Sequence, residues 1–229
     1  GALRVYPGAI RWHGVFGKEI LRIGIPAGVQ GMVFCLSNVI IQSAINSLGA
    51  EVMAASAAGL VLELNTYCFL FAFGQTMTTF VSQNYGAGNL RRCRDISRKG
   101  LMIFCCLNLL ISAASCLLSG LFLSLFGLSG ETIAVGQTRI YTVVGFYVLC
   151  GAIDLISGIL RGYGLSLPPA LLMLFTICGV RVLWVYTAFA ADPAFLTVMY
   201  SYPLSWAVTL LCLIPLYFYY RRRLGLHRA

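Results

Sequence analysis

Apolar runs long enough to cross a bilayer recur along this 229-residue chain, and basic side chains collect at alternate links between them. The hydrocarbon core of a membrane is spanned by about 20 apolar residues in helical conformation. Only 10% of the residues are charged and 59% are hydrophobic, whereas a soluble domain carries about 25% charged residues. A soluble bundle would have no way to cover so much apolar surface. The pattern therefore predicts an all-α, polytopic membrane protein with six transmembrane helices, over approximately 20–47, 52–84, 96–118, 131–160, 168–190 and 195–220. Residues 1–18 read as a basic cytoplasmic linker, 19–220 as the transmembrane part, and 221–229 as a basic cytoplasmic tail. Residues 122–129 are apolar but too few to cross, and read as a lip at the membrane surface.

Fourteen of the sixteen cations fall in the links or at the span ends that adjoin them, and all fourteen lie on one side of a six-span topology. Arg4, Arg11, Lys18 and Arg22 precede or open the first span. Arg91, Arg92, Arg94, Arg98 and Lys99 follow the second, Arg161 the fourth, and Arg221, Arg222, Arg223 and Arg228 the sixth. The opposite links hold Glu51, Glu131 and Asp192 and no cation. Excess Lys and Arg marks the cytoplasmic side, so both ends of this segment are expected in the cytoplasm of a multi-pass protein of the cell membrane. The net charge of +9 is explained by that placement. No nucleic-acid-binding motif accompanies it.

The four ionisable groups left inside spans, Glu63, Asp154, Arg139 and Arg181, are the first candidates for chemistry, because charge at membrane depth is costly. Glu63, about 11 residues into the second span, falls near the bilayer centre. It reads either as a carboxylate that exchanges H⁺ or Na⁺, or as a static partner of Arg181. Asp154 reads as an ion pair or cap with Arg161 near the cytoplasmic end, or as a second coupling-ion residue. Asn38, Gln42 and Asn46, with Gln30 further back, share one face of the first span. With Gln75 and Thr79 on the second, they either line a wet cavity or bond between helices. Tyr67, Phe71 and Tyr147 could offer ring faces to a cation.

Nine cysteines lie mostly inside apolar runs without a CxxC pair, so neither a metal site nor a resident cofactor is expected. Gly127-Leu128-Ser129-Gly130 has the form of an intramembrane serine-protease motif. A serine nucleophile needs a base within reach, and the two histidines, His13 and His227, stand at the chain ends. The chain is not read as an enzyme.

The link after the second span reads Ser82-Gln83-Asn84-Tyr85-Gly86-Ala87-Gly88-Asn89-Leu90-Arg91-Arg92, and the fourth ends in Ile159-Leu160-Arg161-Gly162-Tyr163-Gly164. These resemble signature turns of the multidrug and toxic compound extrusion (MATE) family, in which Gln83, Asn84, Gly86, Ala87, Arg161 and Gly162 would serve structural roles. The resemblance implies a two-lobe (6+6) transporter of which this chain would be the carboxy-terminal lobe. Its partner would be a missing amino-terminal lobe or a second copy. It further implies antiport of drugs or organic cations against H⁺ or Na⁺ through a cavity between lobes. Cavity-lining candidates are then Asn38, Gln42, Gln75, Thr79, Tyr67 and Arg181, with Glu63 and Asp154 as coupling-ion residues. A lipid-linked oligosaccharide flippase of similar lobes and a non-transporting membrane fragment are the alternatives.

Overall fold

The structure, a computed structural model, describes residues 14–224, apart from a number of side chains between residues 15 and 34. The described residues are helical almost throughout. Helix α1 is Gly14–Asn46, α2 Ala50–Gly86, α3 Leu90–Leu117 and α4 Ser119–Leu125. Helices α5 (Glu131–Val143) and α6 (Tyr147–Gly162) form one rod, interrupted by a tight turn at Val144–Phe146. Helices α7 (Leu167–Met173) and α8 (Gly179–Trp184) form a second rod, with wide π-type turns at Leu174–Cys178 and Val185–Phe189. Helix α9 is Phe195–Arg223. Five stretches, α2, α3, the α5–α6 rod, 167–189 and α9, are long and apolar enough to cross a membrane. Helix α1 has 33 residues, about 50 Å at the helical rise.

Several boundaries differ from the sequence expectation. Residues 1–13 of the predicted linker lie outside the described residues, and helix already runs from Gly14. Arg91, Arg92 and Arg94 belong to α3 rather than to the preceding link, because Asn89 caps that helix by accepting from the Arg92 backbone N–H at 3.1 Å. The stretch expected as a lip, 122–129, is divided between the end of the short helix α4 and the turn that follows it. Arg221–Arg223 complete the last turn of α9, where cations complement the carbonyl end of a helix. The tail beyond Leu224 lies outside the described residues.

The two signature turns share one construction. After α2, the Asn89 N–H donates to the Asn84 carbonyl and the Gly88 N–H to that of Tyr85, both at 2.9 Å. After α6, Leu165 donates to Leu160 and Gly164 to Arg161, again at 2.9 Å. Gly88 (φ 73°) and Gly164 (φ 81°) supply the left-handed residue that such a helix end requires. Gly86 is the last residue of α2.

Helix α2 is central. Its neighbour α3 runs antiparallel to it: Val81 meets Cys93, Met77 meets Gly100, and Thr66 meets Ser115. The α5–α6 rod runs parallel to it. Gly59 faces Arg139, Gly74 faces Asp154, Thr78 faces Gly158 and Val81 faces Gly162, at a nearly constant offset. Small residues make this approach so close that a Cβ on Gly158 would sit 2.3 Å from the Gly74 carbonyl oxygen. In lipid, such backbone contact substitutes for the absent hydrophobic drive between helices. Across the lobe, α8 and α9 pair antiparallel. The Trp184 indole donates to the Thr197 carbonyl at 2.7 Å, and Thr176 meets Thr209 at 2.8 Å. Two prolines, Pro203 and Pro215, lie inside α9, which neighbouring helices make tolerable at membrane depth.

Candidate functional site

A cavity of about 550 Å³ opens between α1, α2, the α5–α6 rod, the α7–α8 rod and α9. Its polar lining comes from residues far apart in sequence: Asn38 and Gln42, Glu63 and Tyr67, Arg139, Asp154 and Arg161, Arg181, and Tyr202. The rest is apolar or aromatic, including Phe71, Tyr147, Cys150 and Trp206. Drug-sized ligands occupy cavities of about this size.

Glu63 is held by Arg139 and not by Arg181, the partner considered from sequence. The Arg139 Nε donates to Glu63 Oε2 at 2.7 Å, and a second guanidinium nitrogen donates to the Ser56 hydroxyl at 2.9 Å. Depth along separate spans suggested the wrong arginine. The parallel register of α2 with α5 decides the right one. The Tyr147 hydroxyl donates to the Glu63 backbone carbonyl at 3.1 Å, although Tyr147 follows the interruption in the rod. Arg139 is only 2% exposed, and taking it out of water is offset by this geometry.

Arg181 occupies the other side, also 2% exposed. One of its terminal nitrogens donates to Asn38 Oδ1 at 2.9 Å, and its Nε donates to the Ser205 hydroxyl at 3.3 Å. Its guanidinium carbon lies 4.4 Å from the centre of the Tyr202 ring, and that of Arg139 lies 5.8 Å from the same ring. Tyr202 thus connects the two arginines, and no single-span reading of the sequence picks it out. Wide π-type turns flank Arg181 on both sides. Such turns shift the facing of side chains and are common where ligands bind.

Asp154 is not a cap or close ion pair of Arg161. The ion pair of this cavity wall is Glu63–Arg139. Gly74 has no side chain, so Asp154 packs against α2 with its Cβ where a Gly74 Cβ would be 3.4 Å away. From there it lines the cavity, near Tyr67 and with Arg161 on the same wall. Its Oδ2 is closed off from solvent and makes no hydrogen bond.

Of the remaining candidates, Gln42 lines the cavity and donates to Asn46 Oδ1 at 2.8 Å. Gln75 and Thr79 are exposed on α2 and outside the lining, with the Thr79 hydroxyl turned back to the Gln75 carbonyl at 3.1 Å. The Gln30 side chain is outside the described residues. Among the signature residues, Gln83, Gly86 and Ala87 are exposed and Asn84 donates to the Phe80 carbonyl at 2.8 Å. Gly162 packs on Val81, while Arg161 reaches the cavity.

The family model described as MatE matches residues 26–187. Among curated proteins the chain is similar to "Probable multidrug resistance protein YoeA" of Bacillus subtilis (strain 168), 29% identical over 86% of this chain and 43% of that protein. It is also similar to "Probable multidrug resistance protein NorM" of Thermotoga maritima, 25% identical over 72% of this chain and 36% of that one. The chain thus spans less than half the length of these relatives. Among solved structures, "Crystal structure of MATE in complex with MaD3S" superposes with a TM-score of 0.80 at 18% identity, over 89% of this chain and 46% of that one. The arrangement of helices around the cavity is therefore one found in solved MATE structures, and the chain belongs to the MatE family of membrane transporters.

Proposed function

We propose that the chain is one six-span lobe of a secondary transporter that exports drug-like organic ions by antiport against H⁺ or Na⁺. In this reading α1 is the first span. The basic start of α3 and the basic ends of α6 and α9 face the cytoplasm, as the distribution of Lys and Arg favours. Glu63 and Asp154 are the coupling-ion residues, and Asn38, Gln42, Tyr67 and Arg181 contact the substrate. Gln75 and Thr79 belong to a face of α2 turned toward a second lobe, supplied by a separate segment or by another copy. The resemblance implies an organic cation as substrate. The lining supports an ion with an aromatic or apolar body.

The observation that carries this reading is Asp154. A carboxyl group with one buried, unbonded oxygen, beside a cavity among membrane-length helices, costs stability that no bond at that oxygen returns. Such residues at membrane depth belong to ion pathways. Glu63 differs, since its charge is already matched by Arg139; a coupling role for it requires that pair to open.

The test is dye movement in proteoliposomes containing the chain, under an imposed H⁺ or Na⁺ gradient. Transport that follows one gradient and stops in Asp154→Asn, with the protein still folded, supports the reading. A folded chain that moves no dye under either gradient is the non-transporting fragment instead.

A further inference from the structure

An unmet hydrogen-bonding demand lies behind the cavity wall, on α3. Asn108 and Ser112 are 3% and 6% exposed. The Asn108 amide makes no hydrogen bond through its nitrogen or its oxygen, and the Ser112 hydroxyl makes none either. The two stand one turn apart on a single face of the helix, which Ser115 continues. Ser115 meets Thr66 of α2 at 3.3 Å. Leaving a buried amide unbonded is costly, and polar side chains on membrane helices ordinarily bond to a neighbouring helix.

The register of the helices identifies what faces this pair. Phe104 packs on Gly151, and α3 runs antiparallel to the α5–α6 rod. Asn108 and Ser112, one and two turns further along α3, therefore lie level with residues 143–147, the break in the rod. Helix α3 packs directly against that break. There the Tyr147 N–H donates to the Val144 carbonyl, three residues back rather than the helical four. An amide offers two donors and an acceptor oxygen, and a hydroxyl offers both functions. Water matches such a set because it donates and accepts at once. A metal cation would leave the amide nitrogen unmet. Buried waters make about three hydrogen bonds to groups of this kind.

We infer that Asn108 and Ser112 bind buried water at the break in the α5–α6 rod, and that the rod opens locally there by exchanging backbone hydrogen bonds with that water. The break leads into Tyr147, whose hydroxyl donates to the Glu63 carbonyl. Local opening thus reaches the Glu63–Arg139 pair from behind. Its use in releasing that pair rests on the transporter reading; the water site does not.

Two readouts on the full chain in nanodiscs test the inference without substrate or gradient. X-ray radiolysis turns bound water into hydroxyl radicals in place, which oxidise the side chains beside it. Phe104 is buried, one turn from Asn108 and outside the cavity lining. Its oxidation is expected in the unaltered chain, with a several-fold fall in Asn108→Leu and a smaller one in Ser112→Ala. Amide hydrogen exchange at residues 143–147 is expected to run about tenfold faster than at 154–158 of α6, and to slow several-fold in Asn108→Leu. Ser112→Ala removes a single hydroxyl and decides the matter should Asn108→Leu misfold. An unoxidised Phe104 overturns the inference. So does exchange at the break no faster than in α6, or oxidation and exchange that both variants leave unchanged. Both expected results in a chain that moves no dye under a gradient would sink the transporter reading alone.

Discussion

Removing one member of the Glu63–Arg139 pair leaves a charge at membrane depth with no opposite charge beside it. Breaking a buried pair this way costs about 3–5 kcal/mol, whereas replacing both members by neutral groups costs far less. Arg139→Gln is therefore expected to be severely destabilising in detergent unfolding, and Glu63→Gln combined with Arg139→Gln largely to recover. Equal stability of the single and double variants would remove the pair from the account. Glu63 was legible from sequence as an acid inside a span; its partner was not, because that depends on a register between helices 76 residues apart. Asp154 shows the same limit. Counting from Arg161 places it near a surface, and only the missing side chain of Gly74 shows that it turns inward.

Element geometry rests on a few glycines. Gly158→Ala would press a methyl group against the Gly74 carbonyl, which is backbone and cannot turn aside. Overpacking of this kind costs about 1–3 kcal/mol, measurable as a lowered unfolding midpoint; unchanged stability would mean that α2 and α6 lie further apart. Gly88→Ala and Gly164→Ala, at left-handed positions, should each cost about 1 kcal/mol through strain alone, read in the same unfolding measurement. Helix positions were readable from apolar runs, and the turns from Gly88, Asn89 and Gly164. The interruptions were not. Val144–Phe146 contains no proline, and the π-type turns around Arg181 arise in an ordinary apolar stretch. All three answer to packing against neighbouring helices rather than to local sequence.

At the scale of the molecule, α1 and four of the five membrane-length rods surround a space whose polar lining is drawn from residues as far apart as Asn38 and Tyr202. No stretch of sequence contains that lining, so its composition could be listed as isolated polar residues but not assembled. The account predicts that water reaches it. Cys150 lines the cavity, whereas Cys106 and Cys212 are exposed on the outer faces of α3 and α9, where lipid would cover them. Thiol reagents act on the thiolate, which requires water. The decisive measurement is labelling of single-cysteine variants in sealed vesicles with a small water-soluble methanethiosulfonate. Modification of the Cys150 variant, with the Cys106 and Cys212 variants spared, is the predicted result. An inert Cys150, or one that reacts no faster than Cys212, would contradict a ligand-accessible cavity within the lobe.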